Sequence, residues 1–358
     1  MANIGFLSYW GWGRGQAYVT LGYVKMLQGE HNCFVLNQVV NDFEKEKEFE
    51  EVEVSVTDVK GYFVDPEVFK MWIETNKLDA VVFNEYDQWS KDSNDLVQIA
   101  RDMGCKVYGF LVLEKYKAGQ AERYDRVFAP TVSSVRFYRW RKVRNFSYIP
   151  FSVDLKKHNR LIEENEKFTF FHPGGMLGVR GRKNTRDVIE AFEYLAGDKE
   201  DFGAELIITS QVSLQFNREV HPNIKFIHGN QTKEEINRLY AQADFLVYPT
   251  KWETIGIGVI EAMASGTPSI VTDIPPLNEF IIPNKNGFLV GVDLIRYPEV
   301  ECMAAEIDYK ELSQKMELAM NPLFTGMMKK NAKYIAEKIY NIDKNKHYML
   351  DFLKGDLE

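Results

Sequence analysis

Residues 251–268 read KWETIGIGVIEAMASGTP, and this stretch carries more information about the fold than any other part of the chain. It contains two carboxylates, Glu253 and Glu261, eight positions apart. The segment 257–264 is apolar on every face except at Glu261, which predicts a buried helix that ends at Gly266. An ionised carboxylate in such a helix needs a partner that compensates for its desolvation, and the helix itself offers no basic residue. We expect hydroxyl donors of a polar ligand to be that partner, with an internal ion pair as the alternative.

The composition predicts a globular protein with two domains. A chain of 358 residues exceeds the usual size of one domain, and 45% hydrophobic residues suffice for a large core. The net charge of −8 argues against a protein dominated by nucleic-acid contacts. No apolar run is long enough for a transmembrane helix, and the N-terminus does not resemble a signal peptide. Because Cys33, Cys105 and Cys302 are scattered and the histidines form no ligand pattern, we expect reduced thiols, a cytosolic protein and no metal site.

Strand-like and helix-like segments alternate in both halves of the chain. In the first half, residues 3–9 read as a strand and residues 17–28 as a helix. In the second half, residues 168–172 read as a strand and residues 184–195 as a helix. Such alternation predicts parallel sheets that are covered by helices on both faces. The order of residues 232–235 is that of a capping box and predicts another helix start.

The block from Glu253 to Pro268 resembles the glutamate–seven–glutamate signature of retaining glycosyltransferases of family 4, which have the GT-B fold. The resemblance extends, less specifically, over residues 168–290. It implies an α/β protein with two Rossmann-like domains that face each other across a cleft, and a C-terminal helix that crosses back to the N-terminal domain. The expected divisions are residues 1–152 for the acceptor-side domain, 153–326 for the nucleotide-sugar-binding domain and 327–358 for the returning helices.

The resemblance also implies roles for residues of the signature. Glu253 is expected to face the donor sugar, and Glu261 is expected to accept hydrogen bonds from the nucleotide ribose. The backbone at Thr254, Ile255 and Gly256 lies just before the predicted helix. Its N–H groups are therefore expected to bind the donor and to stabilise negative charge on it.

A second cluster of candidates follows the first strand of the second domain. Family members carry an arginine here and a lysine five residues later, and both side chains hold the donor diphosphate. Lys183 matches the lysine, whereas Gly175 or Met176 occupies the arginine position. We expect Arg180 or Arg182 to supply the second positive charge, and the sequence does not decide between them.

A loop with three glycines, Gly11, Gly13 and Gly15, joins the first strand to the first helix. Glycines at this place let a phosphate approach the backbone. Their spacing differs from the G-x-G-x-x-G of dinucleotide-binding domains and the second strand ends without a carboxylate, which disfavours NAD. By resemblance Gly13 is a candidate for contact with the donor phosphates. A tight turn that carries stacked tryptophans is the alternative.

Three acidic residues are weaker candidates. Glu279 matches a family glutamate that follows a proline-rich turn, although a carboxylate at a helix start explains it equally well. Glu85 and Asp87 follow a strand, at the position where acceptor-facing residues lie in parallel sheets. A plain surface loop is the simpler interpretation of these two residues.

Residues 136–144 form a dense basic and aromatic tract. We favour an amphipathic helix in which Phe137 and Trp140 pack inward. Contact with an anionic membrane is the second interpretation, and contact with nucleic acid is a distant third.

With the resemblance, these residues predict a retaining, metal-independent glycosyltransferase that transfers a hexose. The donor is expected to be a UDP- or GDP-linked sugar, which is a substrate, so that no cofactor is expected. The acceptor is expected to be a hydroxyl group of a glycan, a lipid-linked molecule or a small molecule, in the cytoplasm or at the periphery of a membrane. No nucleic-acid partner is expected. A catalytically silent GT-B protein that binds sugar nucleotides or glycans is the rival, and the missing arginine favours it.

Overall fold

The computed structural model describes residues 1–13, 15–40, 45–86, 95–158, 165–175, 181–200, 202–212, 218–297 and 300–357. The chain divides into two compact units. The first unit contains Met1–Ser152 and Ile342–Glu358, and the second contains Val153–Asn341.

A parallel sheet forms the centre of each unit. The first sheet has the order β3-β2-β1-β4-β5-β6-β7, and the second has the order β10-β9-β8-β11-β12-β13. A short antiparallel pair, β14-β15, follows the second sheet. The strands are β1 Asn3–Ser8, β2 Asn32–Val39, β3 Ser55–Lys60, β4 Ala80–Asn84, β5 Lys106–Phe110, β6 Arg126–Ala129, β7 Phe146–Tyr148, β8 Phe168–Gly175, β9 Ala204–Ser210, β10 Ile224–His228, β11 Phe245–Tyr248, β12 Ser269–Thr272, β13 Gly287–Val290, β14 Asp293–Arg296 and β15 Met303–Glu306.

Helices connect the parallel strands. The α-helices are α1 Gly15–Leu27, α2 Pro66–Asn76, α3 Leu96–Asp102, α4 Val132–Trp140, α5 Thr185–Ala196, α6 Lys233–Gln242, α7 Ile257–Ala264, α8 Leu277–Phe280, α9 Tyr309–Ala319, α10 Pro322–Ile339 and α11 Ile342–Leu357. Short 3-10 turns lie at Lys47–Phe49, Leu113–Lys115, Ala121–Arg123 and Leu155–Lys157. Within the described residues, no helix is long and apolar enough to span a lipid bilayer.

Strands β4 and β11 lie inside the two sheets and are buried along their whole length, as the apolar runs of the sequence predict. All residues of β4, AVVFN, and of β11, FLVY, are buried. Strands of a parallel sheet are covered by helices on both faces, so they read as continuous apolar runs rather than as alternating ones. In both sheets the strand order reverses beside the first strand, between β1 and β4 and between β8 and β11. This reversal is the topological switch point at which α/β proteins bind ligands.

Several helix boundaries are set by residues that were recognised in the sequence. Thr232 and Glu235 form the capping box that opens α6. Helix α7 covers the predicted apolar segment, and Gly266 after it has φ +77°, a conformation that suits glycine. These predictions of α6 and α7 are therefore confirmed.

Two features of the fold differ from the sequence interpretation. The pair β14-β15 was not predicted, because β14 is exposed along its length and has no apolar pattern to identify it. Trp140 was expected to pack inward, which is wrong: its side chain is 71% exposed at the end of α4. On that helix Ser133, Ser134 and Tyr138 are the buried residues, so the inward face lies on another side from Trp140.

The chain re-enters the first unit with its last helix. Helix α10 stays with the second unit because it buries apolar residues there and because Lys333 Nζ donates hydrogen bonds to the carbonyls of Ala264 (2.5 Å) and His158 (2.9 Å). Helix α11 packs in the first unit, where Asn345 Nδ2 donates to Ser152 Oγ over 2.8 Å. The returning segment therefore begins at Ile342, whereas the sequence-based division placed its start at residue 327.

Helix α9 offers a matched test of the core of the second unit. Met316 is fully buried in that core, whereas Leu318, two residues later, is 44% exposed. We expect Met316→Ala to lower the free energy of unfolding by about 2–5 kcal/mol, since it removes buried methylenes and leaves a cavity. Leu318→Ala should change it by less than about 0.5 kcal/mol. Urea denaturation of both variants measures this difference, and equal midpoints would contradict the burial of Met316.

Candidate functional site

Two loops of the second unit meet at its topological switch point. One loop precedes α5 and carries Arg182 and Lys183, and the other follows β11 and carries Glu253. Arg182 O accepts hydrogen bonds from Lys251 N (2.7 Å) and from Thr250 Oγ1 (2.9 Å). These bonds fix the backbone of the cationic loop against the backbone of the glutamate loop.

A buried histidine connects the start of α5 to the sheet. His172, on β8, is fully buried; its Nδ1 lies 2.8 Å from Val247 O and its Nε2 lies 2.9 Å from Thr185 Oγ1. A carbonyl only accepts, so Nδ1 carries the proton and Nε2 accepts from the hydroxyl. Burial lowers the pKa of His172 to about 4, so the ring is neutral at pH 7. The histidine therefore joins β8, β11 and the first residue of α5.

The Glu253 carboxylate receives three donors on one oxygen. Lys183 Nζ lies 2.7 Å, Tyr248 OH 2.7 Å and Arg182 NH1 3.1 Å from Glu253 Oε1. Lys183 Nζ also donates to Tyr248 OH and lies 3.9 Å from the centroid of that ring. Within the described residues, each contact found for this carboxylate uses Oε1. The structure thus brings together Lys183, Arg182 and Glu253, three residues that the sequence singled out.

Charge keeps Glu253 ionised in spite of its burial. Its side chain is 10% exposed, and this burial by itself raises the pKa of the carboxyl group. The charges of Arg182 and Lys183 and the hydrogen bonds from Lys183 and Tyr248 outweigh burial and lower the pKa to about 2. Glu253 is therefore a fixed negative charge with two cations beside it.

Tyr248 is a member of this cluster that the sequence interpretation missed. It is the last residue of β11 and is 5% exposed, and burial together with the Glu253 charge holds the pKa of its hydroxyl group well above the usual value. The phenol therefore keeps its proton and donates a hydrogen bond to Glu253. The signal in the sequence was weak, because a tyrosine that ends an apolar strand looks like any other core aromatic residue.

The start of α7 requires glycine at two positions. Gly256 has φ +79°, and a Cβ there would lie 2.7 Å from Leu277 Cδ2. A Cβ on Gly258 would lie 2.9 Å from Tyr240 OH and 3.4 Å from Tyr248 Cε2. The two glycines therefore let α7 begin close to the tyrosines and to α8. Thr254 and Ile255, which lead into this turn, are both buried.

Glu261 has a protein partner, so the internal ion pair that was the alternative to a ligand is present. Its side chain is 6% exposed, and Lys233 Nζ, from the first residue of α6, forms a salt bridge with its Oε1. Lys233 lies on another helix, in the capping box that opens α6, so the sequence of α7 itself gives no sign of this partner.

The remaining candidates lie at separate places or outside the described residues. Arg180 and Asp87 lie outside them. Gly13 belongs to the first unit, where a Cβ on it would lie 3.1 Å from a Glu46 carboxylate oxygen, so its neighbour is acidic. Glu279 is half-buried on α8, and Glu85 follows β4 with φ +59°. Within the described residues there is no group of three or more His, Cys, Asp and Glu side chains arranged to hold a metal ion.

Comparison with known families adds a match in the second unit. Residues 167–307 match the sequence model of the family described as glycosyl transferases group 1. The matched segment includes Lys183, Arg182, Glu253 and Glu261, and thus the whole cluster described above.

Individual relatives share shorter stretches. The chain is 31% identical over 110 residues to an uncharacterized glycosyltransferase of Sulfolobus islandicus rod-shaped virus 1, covering 30% of this chain and 33% of that protein. It is 29% identical over 186 residues to the GDP-mannose-dependent alpha-mannosyltransferase of Mycolicibacterium smegmatis, covering 48% and 45% of the two chains. The chain thus matches less than half of the length of either relative.

Solved structures resemble the whole chain. Anabaena HepE, solved in complex with UDP and glucose, aligns with a TM-score of 0.73 at 13% identity, over 99% of this chain and all of that one. At this identity the likeness concerns the fold. Two Rossmann-like units with parallel sheets, together with this likeness, define the GT-B fold, which confirms the fold class predicted from the sequence.

The depressed pKa of Glu253 predicts an acid-dependent loss of stability. A carboxyl group whose pKa falls on folding stabilises the native state above its unfolded value of about 4.3 and loses that contribution as the pH falls toward 2. Relative to Glu253→Gln, the wild type should therefore lose about 3 kcal/mol of unfolding free energy between pH 5 and pH 2. Urea denaturation at a series of pH values measures this. If the difference in unfolding free energy between the two proteins did not vary with pH, the lowered pKa of Glu253 would be contradicted.

Proposed function

We propose that the protein is a retaining glycosyltransferase that transfers a hexose from a nucleotide sugar to an acceptor hydroxyl group. One observation carries this proposal: Lys183 and Arg182 converge on a buried, ionised Glu253 at the switch point of a Rossmann-like unit. The family match over residues 167–307 and the GT-B fold support the same class of reaction.

The two cations have the chemistry that a departing diphosphate needs. Negative charge grows on the phosphate oxygens as the glycosidic bond breaks, and fixed cations stabilise that charge. Lys183 is a point charge, and Arg182 can contact two oxygens at once. The N–H groups that lead into α7 add positive potential near Gly256. These groups supply the stabilising charge from the protein itself, and for this reason we propose a metal-independent reaction.

Glu253 suits a role toward the transferred sugar. Three donors hold its Oε1, and in our proposal its other oxygen, Oε2, accepts a hydrogen bond from a sugar hydroxyl group. The negative charge also favours the positive character that develops at the anomeric carbon. In our proposal the acceptor hydroxyl group attacks from the face that the diphosphate leaves, so that the configuration is retained.

Glu261 and Lys233 form a second polar pair on neighbouring helices. A carboxylate that already has a cationic partner costs less to keep ionised inside the protein. We propose that Glu261 shares its charge between Lys233 and the ribose hydroxyl groups of the donor. The relative that uses GDP-mannose and the neighbour solved with UDP and glucose support a GDP- or UDP-linked hexose.

The proposed acceptor is a glycan, a lipid-linked molecule or a small molecule. We propose a cytoplasmic location because Cys33, Cys105 and Cys302 are all free thiols, which suits a reducing compartment. A position at the periphery of a membrane belongs to the same proposal.

Loss of either cation should slow the reaction. We expect Lys183→Ala and Arg182→Ala each to lower turnover by about 10²–10³-fold, the usual effect of losing one preorganised stabiliser of developing charge. Arg186→Ala is the matched control, because Arg186 is exposed one turn away on α5. Release of UDP and GDP from UDP-glucose and GDP-mannose measures turnover.

Two results would contradict the proposal. If Lys183→Ala kept full activity, the loop before α5 would not bind the diphosphate. No nucleoside diphosphate release by the wild type with any donor and acceptor, in spite of donor binding, would favour the silent binding protein. The anomeric configuration of the product, read by NMR, tests retention separately, and an inverted product would contradict it.

A further inference from the structure

A strongly basic segment stands out in the first unit. Between Arg126 and Val153 there is no Asp or Glu, although the whole chain carries a net charge of −8. We define the basic surface as the end of α4 and the turn after it, with all of its members exposed: Arg136, Arg139, Trp140, Arg141, Lys142 and Arg144.

The charges on this surface are not neutralised within the described part of the chain. No salt bridge found there includes any of the five cations. Cations in the last turn of a helix interact favourably with its dipole, which explains Arg139. This effect fades within one turn and does not account for Lys142 and Arg144, which lie beyond the helix.

Trp140 is the second, independent observation. Its side chain is 71% exposed, although most tryptophans are largely buried. The Arg141 guanidinium lies 4.7 Å from the centroid of its ring. The ring therefore stands outward among cations, while Tyr138 on the other side of α4 is fully buried and holds the helix to the body of the unit.

We propose that the basic surface binds the anionic face of a lipid bilayer, with Trp140 inserted at the level of the headgroups. Opposite charge attracts the five cations, and each basic residue near an anionic membrane strengthens binding about fivefold. Tryptophan prefers the membrane–water interface because its ring is apolar and its N–H group is polar.

Nucleic acid suits this surface less well. Non-specific binding of single strands uses several aromatic side chains on which successive bases stack, whereas Trp140 is the exposed ring within the basic surface.

Sedimentation of the full chain with large vesicles tests the proposal independently of any transfer activity. We expect the protein to pellet with vesicles of phosphatidylcholine mixed with phosphatidylglycerol and to remain in solution with phosphatidylcholine alone. Binding should weaken as salt is raised, because the screening length falls from about 10 Å at 0.1 M to about 3 Å at 1 M. Equal binding to both kinds of vesicle, or to neither, would overturn the proposal.

Charge-reversal variants test whether the vesicles bind at the basic surface. Arg139→Glu combined with Arg144→Glu should weaken binding to the mixed vesicles at least about 25-fold. The control, Lys330→Glu with Lys346→Glu, makes the same change in net charge at exposed lysines elsewhere and should retain binding to within a few-fold. Equal losses in the two pairs would mean that net charge alone matters, which would overturn the proposal.

The tryptophan has its own control. Trp140→Ala should weaken binding to the mixed vesicles severalfold, whereas Tyr334→Ala, which removes a 59% exposed ring on α10, should not. If single-stranded DNA bound to the basic surface while the mixed vesicles did not, the partner would be a nucleic acid and the membrane proposal would be wrong.

Discussion

The ion pair between Lys183 and Glu253 is the interaction on which the candidate site depends. A carboxylate that is 10% exposed stays ionised only because cations and hydrogen-bond donors compensate for its lost hydration. Those donors come from two separate segments, namely the loop before α5 and the end of β11, and they meet the carboxylate on the loop after β11. The cluster therefore couples the order of the parallel strands, which brings β8 beside β11, to the placement of one charged oxygen.

Much of the fold follows from the sequence, and the reasons are physical. Apolar runs such as β4 and β11 identify the buried strands, and the residues at Thr232 and Gly266 mark where helices begin and end. Strand β14 is exposed and carries no such pattern, so the pair β14-β15 was missed. The inward packing assigned to Trp140 was wrong, because a spacing of three residues places two side chains near each other but does not say which face of the helix is buried.

The candidate site was predicted in part. Glu253, Lys183 and Arg182 were recognised from the sequence, and the structure places Lys183 Nζ and Arg182 NH1 within 3.1 Å of Glu253 Oε1. Tyr248 was not recognised because a tyrosine that ends an apolar strand looks like any other core aromatic residue, and Lys233 was not recognised because it contacts Glu261 from another helix. Such contacts depend on which strands and helices are neighbours, and no local pattern in the sequence records them. Because Lys233 forms a salt bridge with Glu261, the burial of this carboxylate does not by itself require a ligand.

The central claim is that Lys183 and Arg182, which contact Glu253 in this structure, are the cations that receive a diphosphate. A diphosphate must then compete with the carboxylate for the same two side chains, and removing that competing charge should favour it. Isothermal titration calorimetry of UDP and GDP against the wild type and Glu253→Gln measures this competition. We expect UDP or GDP, whichever is the ligand, to bind more tightly to Glu253→Gln than to the wild type. The double variant Glu253→Gln, Lys183→Ala should bind it much more weakly than Glu253→Gln does. Equal affinity for all three proteins would contradict the central claim.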